Sequence, residues 1–308
     1  MKRAGIGALL GLAILAAPSA TQAIPQQNQV VIPYFSSTRG MFTAVSYVAV
    51  GGERIHIVYY HKDDLTQNID NPDGCKHYDG YVETSKNDMD TFIIDGYDEV
   101  RPIFSDGGPG DRGNIVAPTR RVEGFLAIEG VPDGAGNTAN VVAEAHVVIT
   151  PIRGVYSFRA IRVDAADGSF VNDDVLPAGN NTTVMLYPEE YAQTFIYAIA
   201  DGQNLFGSAD YTASSTLEVA LDDDNLGVFN RAEEGRSIDS SLEFVCAALV
   251  HVSDILGDDH YNFVKNTGGW FNLGVDATVT NGVVAYKVEY STQFGATATP
   301  LTLEPYAR

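Results

Sequence analysis

Leu273-Gly274-Val275-Asp276-Ala277-Thr278-Val279-Thr280-Asn281-Gly282-Val283-Val284-Ala285-Tyr286-Lys287-Val288-Glu289-Tyr290 is the stretch that decides the fold. Its side chains alternate. Leu273, Val275, Ala277 and Val279 face one way, and Asn272, Asp276, Thr278 and Thr280 the other. Past Asn281-Gly282 the alternation resumes, with Val284, Tyr286, Val288 and Tyr290 opposed by Lys287 and Glu289. A period of two is what an extended chain with one buried face requires. Two such runs joined by Asn-Gly predict a β-hairpin, because those residues tolerate the positive φ of a tight turn.

The same pattern recurs outward from this stretch. Val141, Ala143, Ala145, Val147 and Ile149 share a face opposite Glu144 and His146, and Leu217, Val219 and Leu221 form another set. Further β-rich runs lie at Val30 to Phe35, Phe42 to Val50, Ile55 to Tyr60, Val155 to Val163 and Leu242 to Val250. Clusters of Gly, Asp, Asn and Pro separate them, such as Asp106 to Asp111, Pro132 to Asn137 and Asp222 to Asn225. Many short strands with such punctuation predict a mainly β fold. The expectation is an antiparallel β-sandwich of packed sheets, with long acidic loops and at most one or two short helices. The segment after Pro188-Glu189-Glu190 reads two ways: as a helix with Tyr191, Phe195, Ala198 and Ile199 as its stripe, or as a strand from Thr194 to Ile199. Val31, Tyr34 and Phe42 recur at a constant offset as Val184, Tyr187 and Phe195, but three matches over this length are within chance. A membrane β-barrel shares the alternating signature. The run Phe244 to Val250, apolar on both faces, suits a buried sandwich strand better.

The N-terminus reads as an export signal. Met1-Lys2-Arg3 supplies the charge, Ile6 to Ala17 an apolar run too short for the roughly 20 residues of a spanning helix, and Thr21-Gln22-Ala23 a cleavage site. The expected organisation is a secretory signal peptide over 1–23 and a sandwich over 24–308, with an alternative subdivision near 165–185. The expected location is the periplasm, the cell surface or the extracellular space. No later segment predicts a transmembrane helix.

The formal net charge is −21, from 19 Lys and Arg against 40 Asp and Glu. Such a field repels phosphate backbones and anionic lipid, so nucleic acid is not an expected partner. Aliphatic and aromatic residues make up 45% of the chain with Ala and Cys, enough apolar surface to keep an acidic chain folded. Two cysteines in an exported chain predict one disulfide, Cys75–Cys246.

Candidate sites are sparse. In an extended reading, Cys75, His77 and Asp79 point to one side, a metal or nucleophile constellation if Cys75 were not in the disulfide. His56 and His61 fall on opposite faces of one strand, His146 lies beside Glu144, and His251 and His260 border a loop at Asp254 to Asp259. No H-E-x-x-H, G-x-S-x-G or phosphate-loop motif is present. Calcium is the better-motivated ion, since hard cations take Asp and Asn oxygens. Its candidate ligands are Asp222, Asp223, Asp224 and Asn225 on one turn, and Asp254, Asp258 and Asp259 on another, with Asp164, Asp167, Asp173 and Asp174 around a third. The alternative is turn-forming Asp and Asn at hairpin ends. Trp270, between Gly269 and Phe271, is a candidate sugar-stacking platform or a packing residue. Val30, Val31 and Ile32, near the expected mature terminus, form either an assembly strand donated to a neighbour or the first strand of the chain's own sandwich.

The functional expectation is a non-enzymatic exported structural or interaction protein of the cell surface or an extracellular assembly. It would need no cofactor and would have itself or other surface components as partners. Secreted carbohydrate- or calcium-binding modules are the alternative, and a hydrolase with carboxylates brought together in space is a third reading.

Overall fold

A computed structural model of the chain describes residues 27–66, 73–96, 102–104, 118, 120–164, 167–222, 224–279 and 281–302. The expected signal peptide, the acidic run Asp106 to Asp111 and Asp223 lie outside the described residues. The N-terminal half contributes β1 (Gln29–Ser36), β2 (Met41–Val50), β3 (Arg54–Lys62), β4 (Lys76–Glu83), β5 (Asp88–Ile94), β6 (Pro102–Phe104), β7 (Glu123–Gly130), β8 (Asn140–Ile149), β9 (Gly154–Arg159) and β10 (Ile161–Arg162). They form two antiparallel sheets: sheet I in the order β6-β5-β2-β8-β9, and sheet II in the order β10-β1-β7-β3-β4.

The C-terminal half contributes β11 (Asn181–Leu186), β12 (Gln193–Ala200), β13 (Ser214–Ala220), β14 (Val228–Asn230), β15 (Gly235–Arg236), β16 (Ser241–Val245), β17 (Ala247–His251), helix α1 (Val252–Val264), β18 (Gly269–Val275), β19 (Val283–Ser291) and β20 (Gly295–Pro300). Sheet III runs β17-β12-β19-β20. Sheet IV runs β15-β14-β18-β13-β16, with β11 on the other edge of β18.

The sheets stack in numerical order, and three apolar layers fill the gaps. Ile32, Phe35, Ile57 and Tyr59 of sheet II meet Val45, Tyr47, Ala143 and Phe92 of sheet I. Val184, Leu217, Phe271 and Leu273 of sheet IV meet Ile196, Ala198, Val250 and Ala285 of sheet III. The opposite faces of sheets II and III then close on each other through Val31, Tyr34, Val58, Tyr60 and Phe125 against Tyr197, Ile199, Leu249, Val284 and Tyr286. Tyr34 and Tyr197 meet edge-to-face across that middle layer at 4.7 Å, and Phe158 from β9 of sheet I joins the same layer, meeting Tyr286 of sheet III at 5.0 Å. The central strands of sheets II and III are therefore buried on both faces. This is why β1, β3, β12 and β19 carry near-continuous apolar runs instead of clean alternation.

The two halves have the same topology. The row β1-β7-β3-β4 recurs as β11-β18-β13-β16, and β5-β2-β8-β9 recurs as β17-β12-β19-β20, with the strands in the same chain order. The offset seen in the sequence links equivalent strands, since Val31 and Val184 lie on β1 and β11, and Phe42 and Phe195 on β2 and β12. It does not link equivalent side chains throughout. Val31 packs in the middle layer, whereas Val184 packs between sheets III and IV. Because side chains alternate, one residue of drift turns a match onto the wrong face.

Several local expectations are corrected. The Asn281-Gly282 stretch is not a hairpin: β18 ends at Val275 in sheet IV and β19 begins at Val283 in sheet III. Between them, Asp276 accepts from Thr278 N at 2.7 Å and the chain turns from one sheet to the other. Gly282 is required there because a Cβ would collide with the Val175 side chain. The segment after Pro188 is the strand, not the helix, since β12 is paired on both edges by β17 and β19. The helix lies instead at Val252–Val264, over the stretch read as a loop at Asp254 to Asp259. It breaks at Gly257 (φ 68°) and caps one end of the core with Val252, Ile255, Leu256 and Val264. The run Leu242 to Val250 is split at Cys246 (φ 68°), where the chain leaves sheet IV for sheet III. Val30, Val31 and Ile32 are interior: β1 pairs β7 on one edge and β10 on the other, with a register shift around Pro33, which has no N–H to give. Of the two readings of this segment, the pairing seen within the chain is that of the first strand of its own sandwich.

Candidate functional site

Each residue singled out in the sequence has a definite place. Cys75 and Cys246 form the disulfide, with Cα atoms 5.7 Å apart and both residues fully buried in the middle layer. Backbone bonds hold the bridge on either side. Cys75 exchanges N–H···O=C bonds with Tyr211 at 2.9 and 3.0 Å, and Cys246 N donates to Ala213 O. The bridge thus ties the start of β4, in sheet II, to the crossing between sheets IV and III. It removes Cys75 from any constellation with His77 and Asp79, which remain 3.8 Å apart on β4.

His56 is the most strongly gripped titratable group. Its Nδ1 lies 2.9 Å from Glu129 Oε1 and its Nε2 2.9 Å from Asp79 Oδ2. Tyr81 stacks on the ring at 4.4 Å, and the Arg54 guanidinium covers Tyr81 from 4.7 Å. Burial works against a charged imidazole, yet the hydrogen bonds and charges of Glu129 and Asp79 outweigh it and raise the pKa above 6.5. When protonated, the ring can donate to a carboxylate from each nitrogen, which leaves no free nitrogen for base catalysis. His61, on the opposite face, is pushed down to about 4 by burial and by Arg120. Glu123 is buried beneath β1 and accepts from Ser36 Oγ (3.2 Å), Thr38 Oγ1 (3.2 Å) and Tyr34 Oη (3.4 Å), with desolvation raising its pKa. All three groups serve the packing of sheet II.

The acidic turns bond to themselves. Asp222 Oδ1 accepts from Asp224 N (3.0 Å) and Leu226 N (2.8 Å), and Asp167 Oδ1 from Ser169 N (3.0 Å). Asp254, Asp258 and Asp259 ride exposed on α1. Asp173 and Asp174 flank Arg162, at 3.0 and 3.7 Å. Among the described residues no three His, Cys, Asp or Glu side chains are gathered as a metal site. The described turn carboxylates accept the local N–H groups that Asx-turns supply. Trp270 lies flat against Phe229, its cross-strand partner, with ring centroids 3.9 Å apart, so one indole face is covered.

Two surface features were not singled out in the sequence. The first is the outer face of sheet I. Strand register sets its rows: Phe42 beside Val148 and Val155 at one end, and Val48 beside Met89 and Val142 at the other. Between them runs a polar band in which Ser46 bonds Thr91 (2.8 Å) and His146 bonds Ser157 (2.7 Å). Met89 and Val155 are more than half exposed. The equivalent face of sheet III is the one covered by sheet II. The second feature is a hollow at one end of the C-terminal sandwich, of about 400 Å³, with Tyr187, Tyr191 and Phe294 on its walls. Local chemistry presents these rings. Pro188 O accepts from Tyr191 N (2.9 Å), closing the turn between β11 and β12. Ser291 Oγ accepts from Gln293 N and Phe294 N at 3.2 and 3.1 Å, and Gly295 takes φ 89°, which swings Phe294 outward. In the sequence, the cue was an aromatic residue beside each of two turn signals, visible only once the turns are known to be neighbours.

Comparison of the chain with protein-family models, with curated proteins and with solved structures finds no match in any of the three.

Proposed function

We propose that this is a non-enzymatic exported structural protein that assembles with further copies of itself by continuing the stacking of its sheets. The observation that carries the reading is the outer face of sheet I, which the described residues leave open. In the second half of the chain the topologically equivalent face, on sheet III, is buried under sheet II of the N-terminal half. The face that covers it has its own equivalent on sheet IV, where Met185 is 67% exposed beside Trp270. A second copy laying sheet IV on sheet I would extend the order I-II-III-IV. Such a heterologous contact does not close on itself and gives chains of subunits, not a dimer.

The net charge of −21 opposes association, so contact depends on screening. The polar band on sheet I keeps this face less apolar than its buried counterpart, consistent with a reversible interface. The test is sedimentation and electron microscopy of purified residues 24–308 at low and high ionic strength, with and without calcium. Oligomers larger than dimers, growing with protein concentration at high ionic strength, are expected. The double substitution Val48→Glu and Val148→Glu should leave a folded monomer, since both side chains are half-exposed. A wild-type protein that stays monomeric in every condition, or stops at a closed dimer, overturns the reading.

A further inference from the structure

The aromatic hollow is separate from the sheet I face, and its floor is unusual. Lys287 and Glu289 are two apart on β19, so they share a face. It is the face that Val283 and Ala285 bury between sheets III and IV. Glu289 lines the hollow, is only 7% exposed, and has its Oε1 buried against Lys287. Lys287 Nζ stands 3.2 Å from that oxygen as an ion pair while donating to Met185 O at 3.3 Å. A carboxylate has about four acceptor sites on its two oxygens, so at the base of a concave, ring-lined site it keeps capacity to accept a hydrogen bond from a ligand.

We infer that the hollow binds a neutral sugar ring. Tyr187, Tyr191 and Phe294 are exposed by 58%, 47% and 77%, offering flat apolar faces to the C–H faces of a pyranose. The Glu289 carboxylate accepts a sugar hydroxyl through the oxygen that Lys287 does not pair. A cationic ligand is the rival for an aromatic cage with a carboxylate. Here Lys287 already supplies the positive charge, lying 5.6 Å from the Tyr187 ring and pairing Glu289. The pair is neutral overall, which favours an uncharged polyol. This role does not depend on assembly through sheet I.

The test is a glycan array of neutral and charged oligosaccharides, followed by calorimetric titration of the best-bound neutral glycan, with choline as the cationic probe. A neutral glycan should bind in the micromolar to millimolar range. Tyr187→Ala and Phe294→Ala, both at exposed positions that the fold does not need, should each weaken it by about tenfold. Tyr81→Ala, an exposed tyrosine outside the hollow, should leave it unchanged. Retention of no neutral glycan, affinity unaffected by both hollow substitutions, or displacement of the glycan by choline would each overturn the inference.

Discussion

His56 and His61 sit five residues apart on one strand, and their surroundings send them in opposite directions. The His56 imidazolium is held by two carboxylates, so its proton is bound more tightly in the folded chain than in the unfolded one. The stability it adds is complete below pH 6.5 and is lost as pH rises through its higher folded value. His61 is buried, with Arg120 nearby, and its Nδ1 has no hydrogen-bond partner among the described residues. Its folded pKa of about 4 makes it a liability that grows as pH falls from 6.5 toward 4, by an amount on the order of 3 kcal/mol. Urea denaturation across pH should therefore show His61→Gln flattening the loss of stability on the acid side. His56→Gln should cost more at pH 6 than at pH 9. Identical pH profiles for wild type and both variants would contradict the assignments. Nothing in the alternating pattern around Ile55 to Tyr60 announced this difference, because Glu129, Asp79 and Arg120 come from elsewhere in the chain.

At the scale of elements, glycine marks where strands press together. Gly124 is the second residue of β7, and Gly269 is the first of β18, its equivalent strand in the second half. A Cβ on Gly124 would run into the Tyr60 carbonyl oxygen of β3, and one on Gly269 into the Phe229 carbonyl oxygen of β14. The constraint recurs although the surrounding sequences differ. Gly124→Ala and Gly269→Ala should each destabilise the protein by about 1–3 kcal/mol, the usual cost of overpacking. Gly134→Ala, with open space at its Cβ, should be close to neutral. Equilibrium denaturation reads all three. The strands themselves were legible, since β2, β8 and β13 fall where period-two alternation lies. Sheet membership was not. Asn-Gly at 281–282 carries the local chemistry of a hairpin turn, but Val275 and Val283 have partners in different sheets, and those partners overrode the turn preference. The helix was missed for a related reason. Gly257, Asp258, Asp259 and Asn262 are poor helix formers, and Val252–Val264 owes its structure to the apolar end of the core it covers.

The whole molecule is two topologically alike sandwiches joined by an aromatic layer and one buried disulfide. The bridge spans a sequence separation of 171 and links the halves directly. The double substitution Cys75→Ser and Cys246→Ser should lower unfolding stability by about 2–5 kcal/mol, as for other native bridges. Wild-type protein unfolded in reductant should match it. The fold should persist, because Tyr34, Tyr60, Phe125, Tyr197 and Tyr286 still bury the contact between sheets II and III. A variant as stable as wild type would show that the aromatic layer alone sets the junction.

By itself, the sequence determined the mainly β character of the chain, the positions of most strands, the pairing of its two cysteines and a strongly acidic net charge. Each of these follows from local alternation, from counting, or from a choice with a single outcome. Only the tertiary structure decided that the strands divide into four sheets, that the strand orders repeat between the two halves, and that Tyr187, Tyr191, Phe294 and Glu289 share a hollow. The physical reason is that a strand's alternation records how many of its faces are buried and says nothing about which sheet buries them. Neighbours in a stack of sheets are set by pairings between residues far apart in the chain, and here those pairings place an aromatic turn from one strand connection beside an aromatic turn from another.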